Sequence, residues 1–380
     1  MYKLALSILI IPIFISCISD NKNLNSDAHL LAGESTVRYA KGFDIIDYGK
    51  FKYVVVKDPW KKAENLFSYI ISDHLQSDEE IPDTADFFVN LPVEDVAVMS
   101  SSGIGMLCIL DERDLIGSAT NPELIYDSVL YQRHKRGNII DLGETNQFNI
   151  EYIIDNSPDL VFKYIYGSVE AKDIIIKNAG IPVAYNLEYM ETHPLGRAEW
   201  LKYTAAFFNK LDLADSIFRQ IEENYKQISE PAKNKKVKPS VLDGSIYNGV
   251  WYAAGGKSYQ AILYEDAGAD YYWKDNNETG SNAISFEYVI ENQLEADYWI
   301  GASTGNMAEL LNIESRYKFL KSFRNNNVFH YGERINPSGG LDYFESGVVR
   351  PDIVLKDLIS IFHPDLVDPG YKPIYICRIK

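Results

Sequence analysis

The 380-residue chain is poor in the residue types that hold most metal ions, with three cysteines and six histidines. The histidines, at positions 29, 74, 134, 193, 330 and 363, form no cluster, which argues against a dedicated site for a naked zinc or manganese ion. Cys108 and Cys377 stand far apart in apolar surroundings and match no metal spacing, so buried free thiols are the expectation for both. Positive charge is scarce too: 37 basic against 54 acidic residues leave a formal net charge of −17. Such a surface repels phosphates, which excludes nucleic acid and any grip on anionic lipid by charge. Spanning a bilayer takes about 20 apolar residues, and the apolar run at 4–18, after a single Lys3, is too short. It reads instead as the core of a signal peptide. A phosphate-binding loop is also missing. Gly256-Lys257-Ser258 supplies the end of one, but Trp251 stands where its first glycine belongs.

What remains is an ordinary globular composition, 46% hydrophobic and 24% charged, on a chain long enough for two lobes with cores. Twenty-seven tyrosines are an excess that suits a large planar or aromatic ligand, although most must serve core edges and surface. The signal run ends Phe14-Ile15-Ser16-Cys17, which resembles a bacterial lipobox with Phe14 in the usual leucine position. Residues 1–17 then form a lipoprotein signal peptide, Cys17 carries the lipid, and 18–36 is a polar tether.

Along the chain, apolar runs alternate with helical stretches. Residues 42–59 read as a strand pair, and 93–99, 138–142, 159–162 and 181–184 as strands, with a helix over 169–178 stopped by Gly180. Ser100-Ser101-Ser102-Gly103 reads as a strand-exit loop. A helix is expected over 197–209. A second is expected from Asp212, its cap, to Ser229, with Ile217, Ile221, Tyr225 and Ile228 on one face and Pro231 as its stop. The basic stretch 233–238 reads as a surface crossing, after which the alternation restarts at Val241.

Two segments repeat. Asn149-Ile150-Glu151-Tyr152-Ile153-Ile154-Asp155-Asn156 leads through Asp159 into a strand. Ser285-Phe286-Glu287-Tyr288-Val289-Ile290-Glu291-Asn292 leads through Asp297 into another. One copy precedes the long helix and one follows it. The reading is α/β: two Rossmann-like lobes, 37–211 and 231–380, joined by a single helix at 212–230, with a ligand cleft between them.

This order of elements, with Ala179-Gly180-Ile181-Pro182-Val183, Gly255-Gly256-Lys257-Ser258 and Pro337-Ser338-Gly339-Gly340-Leu341-Asp342, resembles the class III periplasmic binding proteins. That family serves ABC importers of iron-siderophores, haem and cobalamin. The resemblance covers roughly residues 90–365, and the 42–59 pair lies outside it. It implies a monomeric, non-enzymatic exported protein on a lipid anchor, facing the periplasm and partnered by an ABC permease and its ATPase. It implies a metal chelate as ligand, and no resident cofactor or metal. It also implies that Glu151 and Glu287 dock on permease arginines, one from each lobe. Each glutamate belongs to a first helical turn, where the helix dipole keeps it ionised.

Candidates for the cleft are Ser101, Tyr164 and Tyr166 in the first lobe. In the second they are Tyr247, Trp251, Tyr252, Asp342, Tyr343 and Arg350. Aromatic faces stack on a macrocycle or catechol, and arginine answers the negative charge of a chelate. Tyr166 or His134 would be first as an axial haem ligand. A reading from another class is a serine hydrolase: Gly301-Ala302-Ser303-Thr304-Gly305 matches a nucleophile elbow, with Asp342 and His363 in the right chain order. A third is a lipoprotein that senses without a transporter.

Overall fold

Runs of β-branched and aromatic residues become strands, and polar-faced segments between them return the chain as helices. The computed structural model describes residues 35–61, 64–73 and 85–380; the signal peptide, Cys17 and all but the last two residues of the tether lie outside them. The first elements are β1 (Phe43–Asp47), β2 (Lys52–Lys57), β3 (Asn65–Ser72) and β4 (Phe87–Asn90), a separate four-stranded sheet. The strand pair read over 42–59 is β1 and β2, antiparallel.

The first lobe follows with β5 (Val96–Met99), α1 (Ser101–Ile109), β6 (Ile116–Ala119), α2 (Ser128–Lys135) and β7 (Ile140–Asp141). Then come α3 (Ile150–Asn156), β8 (Leu160–Tyr164), α4 (Ala171–Asn178) and β9 (Val183–Asn186). Its sheet is parallel throughout, in the order β7-β6-β5-β8-β9. Val96-Ala97-Val98-Met99 is buried at all four positions, as the central strand of a two-sided parallel sheet must be.

Two helices lead out of this lobe, α5 (Pro194–Ala206) and α6 (Leu211–Lys233). The second lobe contains β10 (Ser240–Asp243), β11 (Ser245–Tyr247), β12 (Val250–Ala254), α7 (Tyr259–Asp266), β13 (Asp270–Tyr271) and β14 (Ser281–Ile284). It is completed by α8 (Phe286–Gln293), β15 (Tyr298–Ile300), α9 (Met307–Ile313), α10 (Lys321–Arg324), β16 (Val328–His330), α11 (Pro351–Phe362) and β17 (Cys377–Arg378). Its main sheet runs β13-β10-β15-β16-β17, parallel except for β17, and β11-β12-β14 form a small antiparallel sheet. The α/β reading with two lobes therefore holds.

Several boundaries differ from expectation. Helix α5 starts at Pro194 because His193 caps it, its Nδ1 accepting from the Leu195 N–H at 3.1 Å, and proline suits a first turn. Helix α6 begins after Lys210, leaving Asp212 in its first turn rather than at the cap, and Pro231 does not stop it. Only two residues follow that proline, so the missing N–H costs one bond in a turn already ending. At 23 residues the helix is about 35 Å long. Its buried face is Ala214, Phe218, Ile221, Tyr225 and Ala232, whereas Ile217 and Ile228 are half-buried. Ser101 and Ser102 are not loop but the first turn of α1.

The N-terminal sheet is bound to the first lobe by aromatic contacts. Phe67 stacks on Tyr185 of β9 at 4.1 Å, Phe43 meets Trp200 of α5 at 4.8 Å, and Tyr69 meets Phe207 edge-on at 5.4 Å. The chain enters this sheet through two buried carboxylates. Glu199 accepts from the N–H groups of Arg38, Tyr39 and Ala40, and Glu191 from those of Lys41 and Gly42.

Candidate ligand cleft

Parallel strands end at one edge of a sheet, so the loops that leave those ends converge. Ser100, after β5, caps α1: its Oγ accepts from the Gly103 N–H at 2.9 Å and lies 2.9 Å from Ser102 Oγ. Tyr164 ends β8, and Tyr166 stands two residues on with 83% of its surface exposed. Tyr189, after β9, donates its hydroxyl to the Ile165 carbonyl at 2.5 Å. Its ring stacks beside Tyr166 with centroids 6.5 Å apart and meets Tyr164 edge-on at 6.4 Å. Helix α5 adds Arg197, and the second lobe adds Phe344 and Val348. With Ser101 and Glu188 these residues line an open cavity of about 320 Å³ between the lobes.

Its charges are paired. Arg197 Nη2 lies 3.6 Å from Glu188 Oε2, and the two side chains are 12% and 7% exposed. The guanidinium sits over the Tyr259 ring, 4.1 Å from its centroid. Arg197 Nε and Glu188 Oε2 are buried without hydrogen-bond partners. Arg197, Tyr259, Tyr343, Phe344 and Val348 also border a smaller void of about 20 Å³.

The sequence repeat is a repeat in space. Asn149 caps α3 by accepting from Tyr152 N–H, and Ser285 caps α8 by accepting from Tyr288 N–H. Asn156 and Asn292 donate back to the carbonyls of Tyr152 and Tyr288 at 2.9 and 2.8 Å. Asp159 accepts from Glu94 and Asp95 N–H just before β5; Asp297 accepts from Ser240 N–H and Oγ at the start of β10. Each repeat thus ties its strand to the neighbouring strand of its own sheet. Glu151 and Glu287, in the first turns, are exposed and do not line the cavity.

The family model described as "Periplasmic binding protein" matches residues 96–335, more than half of the chain. The chain belongs to the periplasmic binding protein family. An uncharacterized lipoprotein of Methanocaldococcus jannaschii is 29% identical to this binding protein, over 95% of this chain and 92% of its own. Among solved structures, the periplasmic haem-binding protein RhuT from Roseiflexus sp. RS-1 is similar with a TM-score of 0.55 at 17% identity, covering 72% of this chain and all of its own. A protein of the ABC-type Fe3+-hydroxamate transport system from Saccharomonospora viridis matches with a TM-score of 0.54 at 19% identity, over 72% and 94%. At these identities the likeness shows the fold, two lobes of parallel sheet. The family is one of solute-binding proteins, and among the described residues no helix is long and apolar enough to cross a membrane.

Of the residues expected at the cleft of this binding protein, Ser101, Tyr164 and Tyr166 line the cavity of about 320 Å³ and Tyr343 the adjoining void, stacked on Tyr331 at 4.0 Å. Trp251 does not face the cleft. It is fully buried among Phe286, Trp299 and Tyr317 and donates its indole N–H to the Asp243 carbonyl, which makes it core. Tyr247 and Tyr252 are exposed on the β11–β12 hairpin and do not line the cavity. Arg350 forms a two-pronged ion pair with Asp352 and lines a groove beside α6 and α11, so no free charge of it reaches the cleft. Asp342 is buried, paired with Arg334 at 3.0 Å and accepting from Ser346 Oγ, and lines a second cavity between the lobes, of about 500 Å³. His134 is half-buried on α2 and lines neither the cavity nor the void. Sequence reasoning missed Glu188, Tyr189 and Arg197. The first two follow β9 at a strand exit, which was the available signal.

Ser303 lies on an exposed loop, His363 is bonded to the Gly268 carbonyl at 3.0 Å, and Asp342 is committed as described, so no hydrogen bond joins the three. Cys108 and Cys377 are free, and half-buried rather than buried. Cys377 Sγ lies 2.9 Å from His330 Nε2, and burial pushes its thiol up to about 11.

A second contact zone joins the lobes. Asn336 donates to the carbonyls of Glu123 and Ile125, both at 2.8 Å, while its oxygen accepts from Ser338 and Gly340 N–H. Glu345 accepts from Tyr126 and Asp127 N–H at 2.7 and 2.9 Å. Gly340 rests on the Leu124 backbone so closely that a Cβ would overlap its carbonyl oxygen. The Pro337–Asp342 motif of the sequence supplies Ser338 and Gly340 to this latch, between Asn336 and Glu345.

Proposed function

We propose that the protein is the substrate-binding lipoprotein of an ABC importer, capturing a metal chelate, an iron complex or a cobalamin, and delivering it to the permease and its ATPase. The observation that carries this reading is an interlobe cavity lined by three tyrosines of the first lobe, Tyr164, Tyr166 and Tyr189. Flat aromatic faces and hydroxyls suit a bulky chelate whose rim mixes apolar and polar atoms. The names of structural neighbours, haem-binding and Fe3+-hydroxamate transport, point the same way. The relative named a lipoprotein supports a lipid at Cys17, and with it an exported, membrane-tethered monomer.

Glu151 and Glu287 are the proposed docking residues. Exposed ion pairs are individually weak, about 0–1 kcal/mol each, so two of them fix orientation while permitting release. Two lobes at 37–211 and 231–380, joined by a linking helix at 212–230, complete the proposal. The test is to mix purified protein with haem, a ferric siderophore or a corrinoid, pass it over a sizing column, and record its visible spectrum. Coloured protein is expected with one class. Colourless protein with all three contradicts the reading.

A further inference from the structure

We infer, on the basis of that reading, that the cleft selects a chelate of no net charge. Among the described residues lining the cavity the only cation is Arg197, and buried Glu188 stands 3.6 Å from it. The remaining lining is Ser100, Ser101, Ser102, Tyr164, Tyr166 and Tyr189, whose hydroxyl proton is already given to the Ile165 carbonyl, with Phe344 and Val348 as apolar residues. Hydroxyls both donate and accept, so they match amide, hydroxyl or hydroxamate edges and offer no charge.

The nearby cations are already engaged. Lys163, next to Tyr164, is held by Asp173 at 2.6 Å and Glu170 at 3.1 Å. Arg334 is paired with Asp342 and lines a different cavity between the lobes, of about 500 Å³. An anionic chelate entering the cleft would give up water without gaining a free counter-charge, and burying an unpaired charge is expensive. The formal net charge of −17 adds repulsion on approach. Cyanocobalamin and a ferric trihydroxamate without further ionised groups carry no net charge. A ferric tris-catecholate is a trianion, and haem carries two carboxylates.

The test is a fluorescence titration of the full chain, purified in detergent, with four probes: a ferric trihydroxamate, cyanocobalamin, a ferric tris-catecholate and haem. One neutral probe should bind at least about tenfold more tightly than either anionic one, and its affinity should change less than about twofold across a tenfold rise in NaCl. Glu188→Gln uncovers the charge of Arg197 and should narrow the gap to the tris-catecholate by about tenfold. If that variant does not fold, the wild-type ranking and salt dependence decide. An anionic probe binding best, or an affinity that collapses with salt, overturns the inference and leaves the importer reading standing. No binding of any probe overturns both.

Discussion

Glu287 forms an ion pair with Arg316 at 2.8 Å, whereas Glu151, its counterpart in the other lobe, has no ion pair among the described residues. The two glutamates hold the same helical position behind a side-chain cap, Asn149 in one lobe and Ser285 in the other, but have different partners. Arg316 also binds Glu314, at 2.7 Å, and its hydrogen bond holds the Glu287 carboxyl below the usual carboxylate range. A permease arginine would meet an open carboxylate on the first lobe and must compete with Arg316 on the second. Charge reversal at Glu151 should therefore reduce permease ATPase stimulation more than reversal at Glu287, and Arg316→Ala should raise docking affinity. ATPase assays in reconstituted vesicles check this; equal loss from both reversals would remove the asymmetry.

The latch should be worth a measurable part of stability. Asn336→Ala removes four hydrogen bonds that cross or shape the lobe contact, an expected loss of about 2–4 kcal/mol. Gly340→Ala should be at least as damaging, because its Cβ meets backbone rather than a movable side chain. Urea denaturation midpoints test both; a midpoint unchanged in either would show that the latch is dispensable.

Burial raises the Glu345 carboxyl to about 7 and that of Asp243 to about 6. Asp342 and Asp127 add to the effect at Glu345 by repulsion, against the two backbone N–H groups that favour its ionised form. A raised folded-state value means the folded protein holds the proton more tightly than the unfolded one. The resulting stabilisation is complete below about 4.5, the unfolded value for glutamate, and is lost as pH rises through 7. Glu345→Gln should therefore look more favourable relative to wild type at pH 8 than at pH 5. Thermal unfolding at the two pH values checks the sign.

Trp251 and Tyr166 separate core from surface. Trp251→Ala should cost about 3–5 kcal/mol of stability. Tyr166→Ala, at a side chain that is largely exposed, should leave the melting temperature within a degree or two and weaken chelate binding. Paired melting and titration curves distinguish the two outcomes.

Why Trp251 was misread and Asp297 was not is a matter of which physics leaves a local trace. A capped helix followed by an aspartate and an apolar run is written in consecutive residues, so both copies of the repeat, with Asp159 and Asp297, were legible. An aromatic residue on a strand looks the same whether it faces a core or a cleft. The partners that bury Trp251, Phe286 and Tyr317 among them, lie 35 or more positions away. Arg350 had its counter-ion Asp352 two residues on, a signal that could have been weighed. The Arg197–Glu188 pair joins a strand exit to a helix, and the Asn336 latch spans more than 200 residues; neither leaves a periodic pattern.

The most direct test of the proposed cleft is hydrogen exchange of the full chain with and without a chelate that it retains. Slowed exchange is expected at residues 100–103, 164–168 and 188–191, with 343–348 on the facing lobe. Protection confined to other surfaces, or none at saturation, would contradict a ligand held between the lobes.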